Sequence, residues 1–260
     1  MERLAIDVKQ FGHASQHQDA IRAAFKRGLP EIHPAICSHD GTCVLVGSGP
    51  SVSSFVEEIR GEREKGRPII AVKGAHDFLC SQGITPDIFV SLEPRDRSQR
   101  DLKLKNDQTI YLLASRVSPD TFEWLKDCKV MLWHSWSVEE ENKALEESGA
   151  RMLVGGGTTS GMRAIGLFYL LGFRKFVLYG YDSCLSDDGL KRVDGSQAGQ
   201  TIEVMVGANQ RKFVCSMALA QQADDFQRCY QMYPGATFEA KGDGLIAAII
   251  EERRRTGKRT

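Results

Sequence analysis

The stretch CVLVGSGPSV, residues 43–52, decides the fold. Four apolar residues run into a Gly-Ser-Gly turn, and beyond Pro50 and Ser51 the apolar positions Val52, Phe55, Val56 and Ile59 recur at helical spacing. A short continuous apolar run bounded by glycine is a strand buried on both faces, and spacing of three and four is an amphipathic helix, here over 52–64. Pro50 suits a first helical turn, where its missing N–H costs nothing. The stretch is a buried strand, a tight turn and a helix.

Outward from it the same unit repeats. RPIIAVKGA (67–75), PDIFVSLEP (86–94), QTIYLLAS (108–115) and CKVMLW (128–133) are four further strands, and RMLVGGG (151–157) is a short sixth. RKFVLYGYD (174–182) is a seventh, preceded by an apolar helix over 161–171. HDFLCSQG (76–83) is a helix that Gly83 stops. Apolar runs with helices between them predict a doubly wound, mostly parallel α/β sheet with helices on both faces.

Two regions break the rhythm. Residues 1–40 are expected to form an appended helix, 18–27, and a Pro-containing linker, leaving 41–260 as the main domain. Residues 183–200, rich in Gly, Ser and Asp, are expected to be a flexible insertion beside the site. After them TIEVMVGANQRKFVCS (201–216) predicts a β-hairpin with an Ala-Asn turn. A helix over 216–233, a last strand, a Gly-Asp-Gly turn and a closing helix complete the chain.

Composition narrows the function. The 260 residues hold 34 Lys+Arg and 34 Asp+Glu, so the formal net charge is zero, which argues against nucleic acid as a partner. The basic end EERRRTGKRT (251–260) is expected to be a solvated helix end. Seven cysteines without CxxC spacing, an N-terminus without the apolar core of a secretory signal and no apolar run of membrane-spanning length predict a reduced, cytoplasmic protein.

The unusual loops all fall at the carboxyl ends of strands, where open α/β sheets bind ligands. Gly47, Ser48, Gly49, Pro50 and Ser51 follow the first strand, Lys73, Gly74 and Ala75 the second, and Ser91 to Arg95 the third. Gly47 and Gly49 would let the backbone approach an anion, and Ser51 adds a hydroxyl at a helix start, where free N–H groups favour phosphate. A dinucleotide fingerprint is excluded: Val52 stands at the third glycine position and the second strand ends in Lys73, not an acid. A P-loop is excluded too, because Met162 and Arg163 follow the glycine spacing of 156–161 where lysine and a hydroxyl belong. The loop GGGTTSG (155–161) still offers bare N–H groups and the hydroxyls of Thr158, Thr159 and Ser160 to an anion or a sugar.

VGSGPSV (46–52), IIAVKGAHDFLCSQGITPDIFVSLEPR (69–95) and GGGTTSGMRAIGLFYLLGFRKFVLYGYDS (155–183) together resemble the 6-hydroxymethylpterin diphosphokinase MptE-like family. That Rossmann-like family also supplies the central domain of motility-associated flagellin glycosyltransferases. The skeleton is more distantly similar to bacterial CMP-sialic acid-dependent sialyltransferases. The resemblance implies a nucleotide bound on Gly47, Ser48, Gly49, Pro50 and Ser51, with Gly74 and Ala75 beside it and Gly157, Thr158, Thr159, Ser160 and Gly161 facing it. It also matches Pro86, Asp87, Ser91 and Pro94, with Glu93 where an aspartate is usual, and Asp182 of Gly-x-Asp.

The resemblance implies a transferase. In the diphosphokinase form, ATP donates a pyrophosphoryl group to an alcohol; Glu93 and Asp182 are the expected Mg²⁺ ligands with Asp87 behind them, and Lys73 and Arg95 stabilise triphosphate charge. In the alternative a nucleotide sugar, a CMP-sugar for example, sits on the same loops. A small-molecule or glycan acceptor then enters under 183–200, with Asp182, Asp187 or Asp188 as base. A third possibility is a non-catalytic nucleotide-binding module, because no histidine follows His134. His134 is also a candidate to line the cleft, whereas His76, Met152, Met162 and Trp124 are expected to be structural.

Overall fold

The computed structural model describes residues 14–96 and 101–257; the first thirteen residues and the last three of the basic end, on which the sequence expectations also touched, lie outside them. Seven strands form one sheet: β1 (Thr42–Val46), β2 (Ile69–Val72), β3 (Ile88–Ser91), β4 (Ile110–Ala114), β5 (Lys129–Trp133), β6 (Lys175–Tyr179) and β9 (Thr237–Ala240). Their order is β5-β4-β3-β2-β1-β6-β9, and every pair is parallel. Strands β1 to β5 step one way across the sheet; the chain then returns to place β6 on the far side of β1. The order therefore reverses between β1 and β6, and the doubly wound parallel sheet expected from the sequence is the observed fold.

Alternation along β1 explains the two layers. Val44 and Val46, with Ile69, Ala71, Val177 and Tyr179, pack under Ile59 of helix α2 (Val56–Glu64) and Leu79 of α3 (Ala75–Ser81). Cys43 and Leu45 turn the other way, into the core shared with Ile165 of α6 (Ser160–Leu170), Phe226 of α7 (Met217–Met232) and Ile249 of α8 (Leu245–Arg255). The segment Pro50–Phe55 is a turn of 3-10 helix that leads into α2. Gly83, at φ +71°, ends α3 as expected.

Two local expectations are corrected. RMLVGGG is not a strand: only Val154 makes a bridge, to Ser135, because Gly156 and Gly157 turn left-handed at φ +94° and +81°. The hairpin β7 (Ile202–Val206) and β8 (Arg211–Cys215) is a separate antiparallel sheet, and its turn is not a two-residue Ala-Asn turn. Val206 faces Arg211, so four residues, 207–210, make the connection. The helix expected near the N-terminus is present, and the segment after it docks on the sheet's β5 edge. Ile32 N–H donates to Leu132 O (2.9 Å) and Leu132 N–H to Pro30 O (2.8 Å). Helix α1 (Ala14–Lys26) buries Ile21 against Ala144 and Leu145 of α5 (Glu139–Glu147). The remaining helix, α4 (Pro119–Trp124), starts on the Ser118 cap. No helix among the described residues is long and apolar enough to cross a membrane.

Candidate functional site

A cleft of about 590 Å³ runs across the carboxyl ends of the strands, over the point where their order reverses. At that point the β1 and β6 loops lock together. Gly47 N–H donates to Tyr179 O (2.8 Å) and Gly49 N–H to Gly180 O (2.9 Å). A Cβ on Gly47 would lie 2.6 Å from the Gly180 oxygen, and one on Gly49 would lie 2.5 Å from Asp182 Oδ2 and 2.6 Å from that same oxygen. The glycines let the chain approach its own β6 loop.

Asp182 completes the lock. Its Oδ2 accepts the Ser51 N–H at 2.9 Å, and its Oδ1 accepts the Ser51 hydroxyl. A carboxylate of the protein thus occupies the helix start to which the sequence assigned a phosphate. Burial raises the pKa of Asp182 above the ordinary carboxylate range, and the Ser51 hydrogen bonds only partly offset this.

Beyond β2 and β3 lies a second carboxylate with the opposite electrostatics. Lys73 holds a left-handed backbone, φ +52°, and its Nζ reaches Glu93 Oε2 at 2.7 Å. Arg95 Nε donates to Glu93 Oε1 (2.7 Å) and its Nη2 to Oε2 (3.1 Å). Burial would raise the Glu93 pKa, but the Arg95 hydrogen bonds and the adjoining Lys73 charge together hold it down to about 2. The 183–200 segment closes over this corner: Val193 N–H donates to Ser48 O (2.9 Å), and Arg192 Nη1 is 3.8 Å from Asp101 Oδ1.

The third wall is the start of α6. Thr159 caps the helix by accepting Met162 N–H (3.3 Å), and Thr158 donates its N–H and its hydroxyl to Asp225 Oδ2 (2.8 and 2.9 Å). Ser160 Oγ accepts Leu92 N–H (3.3 Å), and Arg163 Nε supports the loop through Gly157 O (2.7 Å). All three hydroxyls therefore have protein partners. The N–H groups of Ser160 and Gly161 have no carbonyl one turn back, and both residues line the cleft.

Of the expected site residues, Gly47, Ser48, Gly49, Lys73, Glu93 and Arg95 line the cleft. So do Thr158, Thr159, Ser160, Gly161 and Asp182. Pro50, Ser51, Gly74, Ala75 and Gly157 lie behind this lining and shape it. Asp87 is misplaced by the sequence reading. It precedes β3, at the amino end of the sheet, where Oδ2 accepts Ile69 N–H (2.7 Å) and Oδ1 pairs with Arg63 (3.0 Å). His134 is also corrected: its ring is buried, bonded to Ser115 Oγ and Glu31 Oε2 (both 3.1 Å) and stacked on Phe25, so it anchors the N-terminal segment. His76 is a buried residue of α3, as expected.

Glu93 and Asp182 do not fit a Mg²⁺-binding pair. Glu93 is bonded to both Lys73 and Arg95, so Mg²⁺ would have to displace two cations to reach it, and Asp182 alone does not make a pair. Among the described residues no group of three or more His, Cys, Asp or Glu side chains is placed to hold a metal ion.

The sequence reading missed Arg116, Arg163, Lys191, Arg192 and Trp136, all of which line the cleft. With Lys73 and Arg95, the described residues of the lining include six cationic side chains against two carboxylates, Glu93 and Asp182. Buried carboxylates behind the lining pair with three of the cations: Glu141 with Arg116 (3.1 Å), and Asp101 with Arg192 (3.8 Å) and Lys73 (4.0 Å). A positional signal for part of this set was present: Lys73, Arg95 and Arg116 are the first cations after β2, β3 and β4.

Comparison with known proteins agrees with the fold. The family model described as 6-hydroxymethylpterin diphosphokinase MptE-like matches residues 18–188. The MAf glycosyltransferase from Magnetospirillum magneticum AMB-1 superposes with a TM-score of 0.71 at 18% identity, covering 90% of this chain and 37% of that one. The chain thus spans little more than a third of that glycosyltransferase. A mammalian sialyltransferase in complex with Gal-beta-1-3GalNAc-ortho-nitrophenol aligns over 91% of this chain and 82% of its own, at 12% identity and a TM-score of 0.44. No curated protein sequence matches the chain.

Proposed function

The chain belongs to the MptE-like family, and from that premise we propose that it is a nucleotide-dependent transferase whose cleft holds the phosphates of the donor. The observation that carries this is a cleft lined by six cationic side chains and two carboxylates across the carboxyl ends of the strands. Fixed cations in a cleft with low-dielectric walls compensate phosphate charge and stabilise a departing phosphate without reorganising. The N–H groups of Ser160 and Gly161 add two donors at a helix start.

Two donors are open to such a protein. The description of the family model supports pyrophosphoryl transfer from ATP to an alcohol. The carboxylates favour the second donor, a nucleotide sugar, because Glu93 and Asp182 do not fit Mg²⁺ while lysine and arginine surround the cleft. In that reaction the acceptor hydroxyl oxygen bonds to the anomeric carbon, the bond from that carbon to phosphate oxygen breaks, and the hydroxyl proton passes to Asp182. The assignment of the base rests on electrostatics. A base works best with a pKa near the operating pH, so Asp182, raised by burial, suits the task and Glu93, held at about 2, does not. Glu93 instead positions Lys73 and Arg95.

Thermal-shift and calorimetric titration with CMP, a CMP-sugar, ATP and inorganic pyrophosphate, each with and without Mg²⁺, tests the proposal. A ligand at 100 times its Kd adds about 2.7 kcal/mol of stability. Nucleotide binding without Mg²⁺ is expected, as is at least a hundredfold loss of turnover in Asp182→Asn with nucleotide affinity retained. Binding of ATP that requires Mg²⁺ would restore the diphosphokinase reading. Absence of binding by any of these anions would refute both.

A further inference from the structure

We propose that Trp136 is the platform on which the donor's nucleobase stacks, so that the nucleotide lies across the carboxyl ends from β5 towards β1 and β6. The inference rests on the nucleotide reading above and adds the site of the ring and the direction of the ligand.

Trp136 differs from the other tryptophans. Trp133, three residues earlier, is fully buried, and Trp124 is half-buried with its Nε1 bonded to Leu102 O, whereas Trp136 lines the cleft with 56% of its surface exposed. Its backbone is fixed all the same. Trp136 N–H donates to Val154 O (3.0 Å), and Ser135 bridges Val154 just before it. An exposed indole on a fixed backbone in a cleft contributes little to the core; it offers a flat apolar face to a flat ligand group.

Its neighbours define the ligand further. Val138 extends the apolar edge, and Arg116 Nη1, paired with Glu141 (3.1 Å), donates to Oγ of Ser137 (3.1 Å), the residue after Trp136. In strand order the carboxyl ends then present Trp136 after β5, Arg116 after β4, Arg95 after β3 and Lys73 after β2. Neighbouring strands are about 4.8 Å apart, so the three cations fill the roughly 14 Å between the indole and β2. A ring at one end followed by a row of cations is the pattern of a base followed by phosphates. The far end of the row opens on Ser48 and Asp182, where the group to be transferred would meet its acceptor.

The test compares probes with and without a ring. Calorimetry with AMP and CMP, and with inorganic pyrophosphate as the ringless probe, is run on the wild type, Trp136→Ala and Trp136→Phe. Stacking on an aromatic side chain predicts at least a tenfold rise in nucleotide Kd for Trp136→Ala, near-wild-type affinity for Trp136→Phe and an unchanged pyrophosphate Kd. In the wild type, acrylamide quenching of the exposed indole should fall on adding nucleotide and stay constant on adding pyrophosphate, a measurement that needs no variant. Equal nucleotide affinity in wild type and Trp136→Ala overturns the proposal, and so does an equal loss for pyrophosphate. If the wild type binds pyrophosphate but binds nucleotides no better, the ring site fails while the anion cleft stands; if it binds neither, both fail.

Discussion

The two glycine loops of the cleft carry similar sequences, glycines followed by hydroxyl residues at a helix start, yet the structure uses them differently. In the β1 loop the donors are spent internally: Gly49 N–H on Gly180 O, and Ser51 N–H and hydroxyl on Asp182. In the α6 loop the hydroxyls are spent internally as well, but Ser160 and Gly161, whose N–H groups have no carbonyl one turn back, line the cleft. The difference lies in a carboxylate from elsewhere in the chain. Asp182 arrives from β6 and fills the anion position of the first loop. Among the described residues no carboxylate does the same at the first two N–H groups of α6, since Asp225 takes Thr158, one residue before the cap. Whether a glycine loop at a helix start keeps donors open to a ligand thus depends on whether the fold supplies its own anion.

The sharpest way to break this contrast is to add one methyl group to each loop. In Gly49→Ala the new Cβ would sit 2.5 Å from Asp182 Oδ2 and 2.6 Å from the Gly180 oxygen, so the interlocked loops must part. Overpacking of this kind costs about 2–3 kcal/mol. Gly155, in the other loop, has nothing within 4 Å of a built Cβ, and Gly155→Ala should stay within about 0.5 kcal/mol of wild type. Urea denaturation of both variants checks the pair. Equal losses would mean that the β1 glycines do not serve close packing.

Much of this was legible in the sequence, and the failures have a common cause. Strands β1 to β6 are short apolar runs bounded by turn residues, so their existence followed from pattern alone, and with it the doubly wound sheet and the placement of Gly47, Lys73, Glu93 and Asp182 at one end. Pairing across the fold did not follow. Nothing near Ser51 in sequence says that Asp182, 131 residues away, takes its N–H, and nothing near Glu93 says that Lys73 reaches it. The resemblance therefore assigned both carboxylates to a metal and set Asp87 behind them, although Asp87 stands at the start of the PDIFVSLEP run and Glu93 near its end. Trp136 was missed because an aromatic residue after a strand looks the same in sequence whether it ends in the core or in a cleft.

The two cleft carboxylates give the contrast a pH dependence of opposite sign. Glu93 is ordinarily near 4.5 and is held at about 2 in the fold, so its contribution to stability is fully present above 4.5 and is lost as pH falls from there towards 2. Asp182 is raised, so its contribution is fully present below its ordinary 3.8 and is lost as pH rises through the folded value. Glu93→Gln should cost about 2 kcal/mol at neutral pH, the scale of hydrogen bonds to a charged group, and should flatten the acid limb of the stability curve. Denaturation midpoints of wild type and variant from pH 2 to 7 measure it. An unaltered acid limb would show that Lys73 and Arg95 do not depend on Glu93.

Asp87 is the limiting case of a carboxylate spent on its own chain. It accepts the N–H of Ile69, a residue with no exposed surface, and its ion pair with Arg63 is half open to solvent and worth little. Asp87→Ala should therefore act through one backbone donor left buried and unpaired, at a cost of about 1 kcal/mol. Because it stands at the amino end of β3, with the length of the sheet between it and the cleft, nucleotide affinity and turnover should match those of the wild type. Paired measurement of unfolding free energy and nucleotide Kd decides the matter. Weakened nucleotide binding in a variant that remains folded would return Asp87 to the site and would mean that position along a strand does not separate structural from functional carboxylates in this sheet.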